Sequence, residues 1–279
     1  MTREFGLALG SGGARGIAHV HVIKALDDLG IRASIVSGSS IGSIVGAGYA
    51  AGMRGEEIED VFRSTFSNRM QVLSKLWQVS SNPFAGWMKK DRGPLGQMDV
   101  STLLDAFLPE SVPASFEELE LPLLVTATDF YGDRAIVFGS GELKPAVAAS
   151  CAVPVLFKPV RIDGTVLVDG GFYNPVPFDI IRSDGRFVIG VDVVGTPEGK
   201  PGTWPSRMEA GIGASQLMMQ AITHHKLAND PPEIFLRAPN NSFKVLDFLK
   251  VEEILENSEP LYEETKRKVH SLLETDRVI

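Results

Sequence analysis

The chain has 279 residues, which is enough to bury a substantial hydrophobic core in one large domain or two small ones. Hydrophobic residues make up 44% and charged residues 22% of the sequence, as in ordinary globular proteins, which argues against a disordered chain. The formal net charge of −8 argues against general nucleic-acid binding, because that requires a basic surface. The single cysteine, Cys151, cannot form an internal disulfide and has no metal-ligand spacing around it.

The sequence reaches a glycine-rich motif within ten residues of its start, and no charged-then-apolar signal region precedes that motif. No stretch of about 18 apolar residues occurs, so we expect no membrane-spanning helix. We therefore expect a cytoplasmic location, with any membrane contact peripheral. Without an internal repeat, residues 1–279 are expected to form one domain, with a motif-bearing core at 5–195 and a further part of helices and a strand at 206–279.

Strand and helix patterns alternate at the start of the chain. Residues 5–10 form a short apolar run that predicts a buried strand, and residues 17–30 repeat apolar side chains at helical spacing. A second strand is predicted at 32–38 and a helix rich in small residues at 40–53. This order predicts an α/β protein with a three-layer α/β/α arrangement and a mostly parallel central sheet.

The later elements are predicted by the same patterns. Helices are expected through much of 55–119, at 144–154, at 206–229 and at 251–274, and strands at 121–130, 134–139, on both sides of Asp163-Gly164, at 186–195 and at 233–239. Residues 72–90 gather large apolar side chains, which is typical either of core packing or of a lid or lipid-facing patch. The Met-rich stretch at 216–220 favours core packing over a pocket.

Residues 38–42, GSSIG, place a serine between a β-branched run and a helical run of small residues. Gly-x-Ser-x-Gly in that context is the pattern of a nucleophile elbow, in which the serine hydroxyl projects above the sheet. The spacing predicts Ser40 as the nucleophile and leaves Ser39 at the variable position. Gly38 and Gly42 leave room for the neighbouring strand and helix. A plain strand-to-helix turn is the alternative that this pattern alone leaves open.

A second glycine-rich segment, GSGGARG at residues 10–16, follows the first predicted strand. The backbone N–H groups of Gly12, Gly13 and Ala14 are predicted to point into the same crevice as the serine and to form an oxyanion hole, with Arg15 adding positive charge. A dinucleotide-binding loop is disfavoured, because its glycine spacing is one residue shorter and no acidic residue ends the second strand.

A serine nucleophile needs a base. Ser40, Asp169 and His224 follow the chain order of an ordinary α/β-hydrolase triad, so a histidine base stays open at this point. Asp169 is also a candidate on its own, because it follows an apolar strand and such an acid can have a raised pKa and act as a base. A hairpin turn is the structural alternative for the Asp-Gly-Gly segment that begins at this residue.

The three motifs GSGGARG, GSSIG and DGG (169–171), in this order and with AASCAVPVLFKPV at 148–160, resemble the patatin-like phospholipases over at least residues 5–195. The resemblance implies a Ser-Asp dyad without histidine. Carried over position by position, it implies these roles: Ser40 as nucleophile, Asp169 as base, Gly12, Gly13, Ala14 and Arg15 around the oxyanion, and Gly38, Gly42, Gly170 and Gly171 as structural motif positions. The family's loop usually carries three consecutive glycines, and here Ser11 replaces the first.

The activity that the resemblance implies is that of a serine lipid acyl hydrolase, of phospholipase A, lysophospholipase or carboxylesterase type. It would cleave the acyl ester of a lipid or phospholipid substrate through an acyl-enzyme, without a metal or other cofactor. Because the base is a carboxylate, activity is expected to persist at a pH where a histidine-dependent hydrolase fades. A non-catalytic regulatory protein on the same fold and a Ser-His-Asp hydrolase are the alternatives.

Overall fold

The computed structural model describes residues 4–67, 100–154, 156–199 and 202–276; the predicted lid or core segment at 72–90 lies outside them. The described strands are β1 (Glu4–Leu9), β2 (Ile35–Ser39), β3 (Leu123–Asp129), β4 (Arg134–Phe138), β5 (Val160–Ile162), β6 (Thr165–Asp169), β7 (Arg186–Asp192) and β8 (Ile234–Arg237). The described α-helices are α1 (His19–Asp28), α2 (Ile41–Ala50), α3 (Gly55–Ser67), α4 (Val100–Phe107), α5 (Leu143–Ser150), α6 (Arg207–Asn229), α7 (Val251–Ser258) and α8 (Pro260–Asp276).

The strands form one sheet in the order β5-β6-β3-β2-β1-β7-β8, with β4 paired to β3. Strands β3, β2, β1, β7 and β8 are neighbours in that order and are parallel to one another. Strands β4 and β6 pair antiparallel with β3, and β5 pairs antiparallel with β6. The predicted α/β fold with a mostly parallel sheet is therefore confirmed. The β5–β6 hairpin turns at the predicted Asp163-Gly164, where both residues have positive φ.

Helices cover both faces of the sheet, but unequally. Leu7 and Leu9 of β1 point into a large core that includes side chains from α1–α5, α7 and α8. Ala8, which points the other way, packs in a smaller cluster with Phe178 and with Leu227 of α6. No helix in the described part of the chain is both long and apolar enough to cross a membrane.

Two predicted helices differ from those observed. The first begins as a 3-10 helix at Gly13–Ala18 and continues as α1, and such tighter turns are common at the start of an α-helix. The predicted helix at 251–274 is two helices, α7 and α8. Pro260 opens α8, a position where proline's missing N–H costs nothing and where it ends the preceding helix.

The register of three strands brings the candidate catalytic residues together. Ser39, the last residue of β2, lies opposite Thr126 of β3, and Asp169, the last residue of β6, lies opposite Ala127. Because β4 pairs with one edge of β3 along residues 125–129, β2 and β6 share the other edge: β2 pairs with residues 123–126 and β6 with residues 127–129. Ser40 and Asp169 therefore meet where β2 ends and β6 takes its place beside β3. The loop that follows β1 leaves the sheet at the same end of the parallel strands.

Candidate active site

Ser40 occupies a strained backbone position between β2 and α2. Its φ of 55° and ψ of −126° lie outside the regions that a residue with a side chain normally adopts. Two hydrogen bonds of the Ser40 backbone stabilise this turn: its N–H donates to Ser150 Oγ at 2.8 Å, and its carbonyl accepts from Ser43 Oγ at 2.6 Å. Ser40 is the N-cap of α2, so its hydroxyl lies at the positive end of a helix.

Gly42 shows why the elbow needs small residues. A Cβ at this position would lie 2.1 Å from the carbonyl oxygen of Leu9, so α2 crosses the end of β1 at a distance that only glycine permits. A Cβ on Gly38 or Gly170 would likewise overlap backbone atoms, and one on Gly171 would overlap the side chains of Ser11 and Met219. Close packing thus fixes the path of the chain through both turns.

The two adjacent serines have different surroundings. Ser39 is fully buried, its hydroxyl donates to the carbonyl of Asn174 at 2.5 Å, and it also contacts the hydroxyl of Thr126. Ser40 and Asp169 lie together on what we call the floor of a cavity. Ser39 therefore ties β2 to its neighbours, and Ser40 is the one positioned to meet a substrate.

Asp169 is a buried carboxylate with one oxygen uncommitted. Its Oδ1 accepts the N–H of Gly171 at 2.8 Å, whereas Oδ2 is buried and has no hydrogen-bond partner among the described residues. Burial raises the pKa of Asp169 to about 7, although the nearby Ser40 hydroxyl and the Gly171 N–H each lower it. The carboxyl group thus approaches the Ser40 hydroxyl and keeps an acceptor open for a proton.

This raised pKa changes one sequence-based expectation. A carboxylate base was expected to work at a lower pH than histidine, but complete burial of Asp169 moves its pKa to about 7, close to the ordinary value of an imidazole. The acid limb of the pH profile therefore cannot separate the two kinds of base. Substitution of the residues themselves is the informative test.

The loop after β1 contributes two glycines to the lining of the cavity. Gly12 and Gly13 line it, and neither N–H donates a hydrogen bond within the described residues. Ala14, the third predicted donor, instead donates its N–H to the carbonyl of Val245 at 2.8 Å. Two of the three predicted amide donors are therefore available, because the N–H of Ala14 holds the loop in place instead.

Arg15 also lines the cavity, and its guanidinium is bound by other groups of the protein. Its guanidinium is buried, and Nε donates to the Gly12 carbonyl at 3.3 Å. With the Gln216 side-chain amide assigned so that its Oε1 faces Arg15, the terminal nitrogens donate to that oxygen at 2.7 and 2.5 Å. Burial lowers its pKa to about 10, partly offset by Asp192 and Asp247, so it stays charged. In a trans peptide C=O and N–H point in opposite directions. Holding the Gly12 carbonyl therefore turns the N–H of Gly13 away from Arg15.

His19 is a loop anchor that sequence reasoning missed. It is completely buried, burial lowers its pKa to about 4, and Nε2–H donates to the carbonyl of Gly10 at 2.9 Å. The Ser11 N–H donates to the Pro175 carbonyl at 2.9 Å. The loop is therefore held at several points, which suits a rigid array of donors.

The end of α5 joins the nucleophile to the base. Ser150 accepts the Ser40 N–H, and the carbonyl of Ala152 accepts the N–H of Asp169 at 3.0 Å. Cys151 between them is buried against Ser43 at 3.8 Å, and burial together with the charge of Asp169 raises the pKa of its thiol. The only sequence signal for these contacts was the family-like segment at 148–160, which gave no role for its individual residues.

The cavity above these groups has a volume of about 570 Å³, within the usual range for a small-molecule site. Its lining is mainly apolar. The apolar residues come from α6, from the segments after β7 and β8, and from the segments that follow α5 and β6: Val153, Pro154, Leu156, Phe172, Val194, Ile212, Met218, Met219 and Val245. The Met-rich stretch, expected in the core, therefore forms part of a pocket wall. Its position on a helix beside the nucleophile could not be seen from its composition.

No histidine of the described residues lines this cavity. His224 and His225 are exposed near the end of α6. There His224 Nε2 lies 3.4 Å from a terminal nitrogen of Arg237, and the ring of His225 contacts the side-chain amide of Asn229. The structure thus brings Asp169, and neither of these histidines, to Ser40. Among the described residues, no group of three or more His, Cys, Asp or Glu side chains is arranged to hold a metal ion.

The sequence matches the family model for patatin-like phospholipase over residues 7–182, which includes every motif described above. The chain belongs to this family. As a patatin-like protein it is 32% identical over 194 residues to an uncharacterized NTE family protein of Mycobacterium tuberculosis, a match that covers 69% of this chain and 50% of that relative.

A lysophospholipase NTE1 of Cryptococcus neoformans is 31% identical over 204 residues, covering 71% of this patatin-like chain and 12% of the fungal protein. The chain therefore spans half or less of the length of these curated relatives. Among solved structures, VipD from Legionella pneumophila is similar with a TM-score of 0.48 and 14% identity, over 96% of this chain and 67% of that one.

Proposed function

We propose that this protein is a serine lipid acyl hydrolase in which Ser40 and Asp169 act as a catalytic dyad. One observation carries the proposal. A serine at a strained elbow faces a buried carboxylate with an uncommitted oxygen, on the floor of a cavity whose walls are mainly apolar. Membership of the patatin-like phospholipase family and the similarity to proteins named lysophospholipases support a lipid ester as the substrate.

The proposed reaction begins with proton transfer from the Ser40 hydroxyl to Asp169. The Ser40 oxygen attacks the acyl carbonyl, and the oxyanion of the tetrahedral intermediate accepts the N–H groups of Gly12 and Gly13. The alcohol leaves with a proton from Asp169, which leaves the acyl group esterified to Ser40. A water molecule, deprotonated by Asp169, then attacks the acyl-enzyme to form a second tetrahedral intermediate. Its collapse breaks the bond to the Ser40 oxygen, which takes the proton back from Asp169, and the carboxylic acid is released.

The surroundings of each group suit these steps. With a pKa of about 7, Asp169 is a stronger base than an exposed carboxylate and is substantially ionised near neutral pH. Two preorganised amides contribute roughly 3 kcal/mol each to stabilisation of the transition state in sites of this kind. The apolar walls favour an acyl chain over a polar substituent.

Labelling with a fluorophosphonate tests whether Ser40 is activated. Intact mass after incubation is expected to show one adduct per chain, and peptide mapping is expected to place it on Ser40. Ser40→Ala should abolish the adduct, and Asp169→Asn should slow its formation by about 10³-fold, because the proton acceptor is lost. Hydrolysis of lysophospholipid, diacyl phospholipid and short-chain esters then defines the substrate.

Ser215 offers a matched control, because it is another serine that lines the same cavity and its hydroxyl donates to the carbonyl of Ile212. Ser215→Ala is expected to label like the wild type. A folded wild-type protein that forms no adduct, or one labelled at a serine other than Ser40, would contradict the dyad.

A further inference from the structure

One residue of the segment that follows Asp169 is hydrogen-bonded to both sides of the proposed dyad. The Asn174 N–H donates to the carbonyl of Gly170, the residue after the base, at 2.9 Å. The Asn174 carbonyl accepts the hydroxyl of Ser39, the residue before the nucleophile, at 2.5 Å. The backbone of Asn174 therefore joins the turn that carries Asp169 to the turn that carries Ser40.

The same segment also holds the glycine-rich loop. The carbonyl of Pro175 accepts the Ser11 N–H at 2.9 Å, and Ser11 directly precedes Gly12, one of the two available oxyanion donors. Residues 170–178, which we call the 170–178 segment, thus contact the parts of the chain that carry the nucleophile, the base and the oxyanion donors. A shift of this segment would change the distances among all three.

A largely buried lysine of α6 holds Asn174 by its side chain. The Lys226 side chain is 17% exposed, and its Nζ donates to Asn174 Oδ1 at 2.5 Å. The same Nζ donates to the carbonyl of Val176 at 2.7 Å and to Asp179 Oδ1 at 2.5 Å. Asn174 Nδ2 in turn donates to Asp179 Oδ1 at 2.9 Å. Each of the three N–H donors of the ammonium group therefore has an acceptor in or directly after the 170–178 segment.

Placing an ammonium group here is costly, and simple packing of α6 on the sheet does not require it. Burial lowers the pKa of Lys226, an effect that the ion pair with Asp179 partly offsets. The neighbouring Leu227 packs in the smaller apolar cluster without such a cost. Apolar packing has no preferred direction, whereas hydrogen bonds fix the orientation of the Asn174 amide and the Val176 carbonyl. Lys226 therefore gives the segment a defined position.

We propose that Lys226 is a positioning residue for the reaction, because by holding the Asn174 side chain it sets the separation of Ser40 and Asp169. The proposal rests on the proposed function, since it assumes that these two side chains exchange a proton. Proton transfer requires donor and acceptor within hydrogen-bond reach, so a small shift of Asn174 slows the chemistry without changing the cavity that binds the substrate. Loss of the ammonium group should therefore lower kcat and leave KM nearly unchanged.

Methionine at position 226 tests this role, because it keeps an unbranched side chain and removes the ammonium group. Lys226→Met should lower kcat for a soluble short-chain ester by about 10- to 100-fold. KM should stay within about twofold of the wild-type value, and fluorophosphonate labelling of Ser40 should slow by the same factor as kcat. Circular dichroism and thermal melts define the temperature range in which the variant is folded, and the assays are run within it.

Asn174→Ala provides a second variant, because it removes the amide that Lys226 holds and keeps the backbone groups that reach Gly170 and Ser39. It should lower kcat by about tenfold. The double variant should be no slower than Lys226→Met, because both substitutions break the same contact. If the two losses multiply instead, Lys226 does not act through Asn174 and the proposal is overturned.

Lys268 of α8 offers a matched control. Its Nζ donates to the carbonyl of Phe235 in β8 at 2.7 Å and forms an ion pair with Glu264 at 2.8 Å. It thus also joins a helix to the sheet, but the groups that it binds lie outside the 170–178 segment. Lys268→Met should leave kcat and labelling within about twofold of the wild type.

The outcomes separate this proposal from the proposed function. Folded Lys226→Met protein that hydrolyses the soluble ester at the wild-type rate would overturn the positioning role alone, and so would an equal loss of kcat in Lys268→Met. Wild-type protein that neither reacts with the fluorophosphonate nor hydrolyses any ester would instead overturn the proposed function, and the positioning role with it.

Discussion

The cavity has a floor, formed at Ser40 and Asp169, and a wall formed by α6, and the two constrain the amino-acid sequence differently. In the turn that carries Ser40 to the floor, a Cβ on Gly42 would lie 2.1 Å from a backbone oxygen, so the residue type is dictated by the path of the chain. On the α6 wall, a Cβ on Gly211 would meet nothing within 4 Å. Chemistry requires atoms at fixed positions, whereas binding an acyl chain requires only an apolar surface of suitable shape.

The floor also stores unfavourable energy that the wall does not. Ser40 has a strained backbone and Asp169 is a carboxyl group buried without a counter-charge close enough to lower its pKa to the ordinary range. The wall contains ordinary helical residues with a capping box at Ser206. Substitutions that relieve the strain at Ser40 or the buried charge at Asp169 should therefore exchange activity for stability, and substitutions on the wall should not.

The largest expected effect is on turnover. Asp169→Asn should lower kcat for a soluble ester by about 10³-fold or more, because asparagine keeps the acceptor for the Gly171 N–H but cannot take the Ser40 proton. Steady-state kinetics at pH 8 would check this. Retention of even a tenth of the wild-type rate would show that another group is the base.

The same substitution should stabilise the protein. Burial raises the pKa of Asp169 from 3.8 to about 7, so its stability contribution is present below about pH 4 and is lost as pH rises to 7. Asp169→Asn should therefore be more stable than the wild type by a few kcal/mol at pH 8, and this difference should disappear near pH 4. Urea denaturation at several pH values measures it; equal stability at pH 8 would mean that Asp169 is not buried as described.

A pair of glycine substitutions compares floor and wall directly. Gly42→Ala should destabilise the protein by about 3 kcal/mol, because the Leu9 carbonyl has no room to move. Gly211→Ala, on the open face of α6, should stabilise it by up to about 1 kcal/mol through helix propensity. Thermal melts of the two variants provide the measurement. Similar shifts for both would remove the proposed difference between floor and wall.

The smallest expected effect concerns the exposed end of α6. His224→Ala and His225→Ala should each leave kcat and KM for a soluble ester unchanged, since both side chains are exposed and do not line the cavity. A loss beyond about tenfold in either variant would restore a histidine-dependent mechanism.

Much of the fold followed from local patterns. Apolar runs and glycine positions located the strands and most helices, because each element carries its own periodicity. The antiparallel pairing of β6 with β3 was not predicted, since an apolar run such as TVLVD does not indicate the direction in which a strand runs in the sheet. The elbow could be predicted from GSSIG itself, because this segment combines the small residues of a tight turn with the start of a helix.

The remainder of the site depends on contacts between distant parts of the chain. Nothing near His19 indicates that its ring reaches the carbonyl of Gly10, and nothing near Ala14 indicates that Val245 takes its N–H. The pocket wall was missed for the same reason, because an amphipathic helix has the same pattern whether it faces a core or a cavity. Burial of Asp169, and hence its raised pKa, also exists only after the sheet has formed.

The antiparallel pairing of β6 with β3 also bears on how activity is acquired during folding. Ser40 and Asp169 are far apart in the chain and meet only when β6 has paired with β3 in the observed register. A slip of one residue would turn Asp169 to the opposite face of the sheet, giving a compact but inactive chain. Such non-local pairing is slow compared with helix formation. Recovery of esterase activity after dilution from denaturant should consequently lag behind recovery of helical circular dichroism, so that the active site itself reports the completion of the sheet.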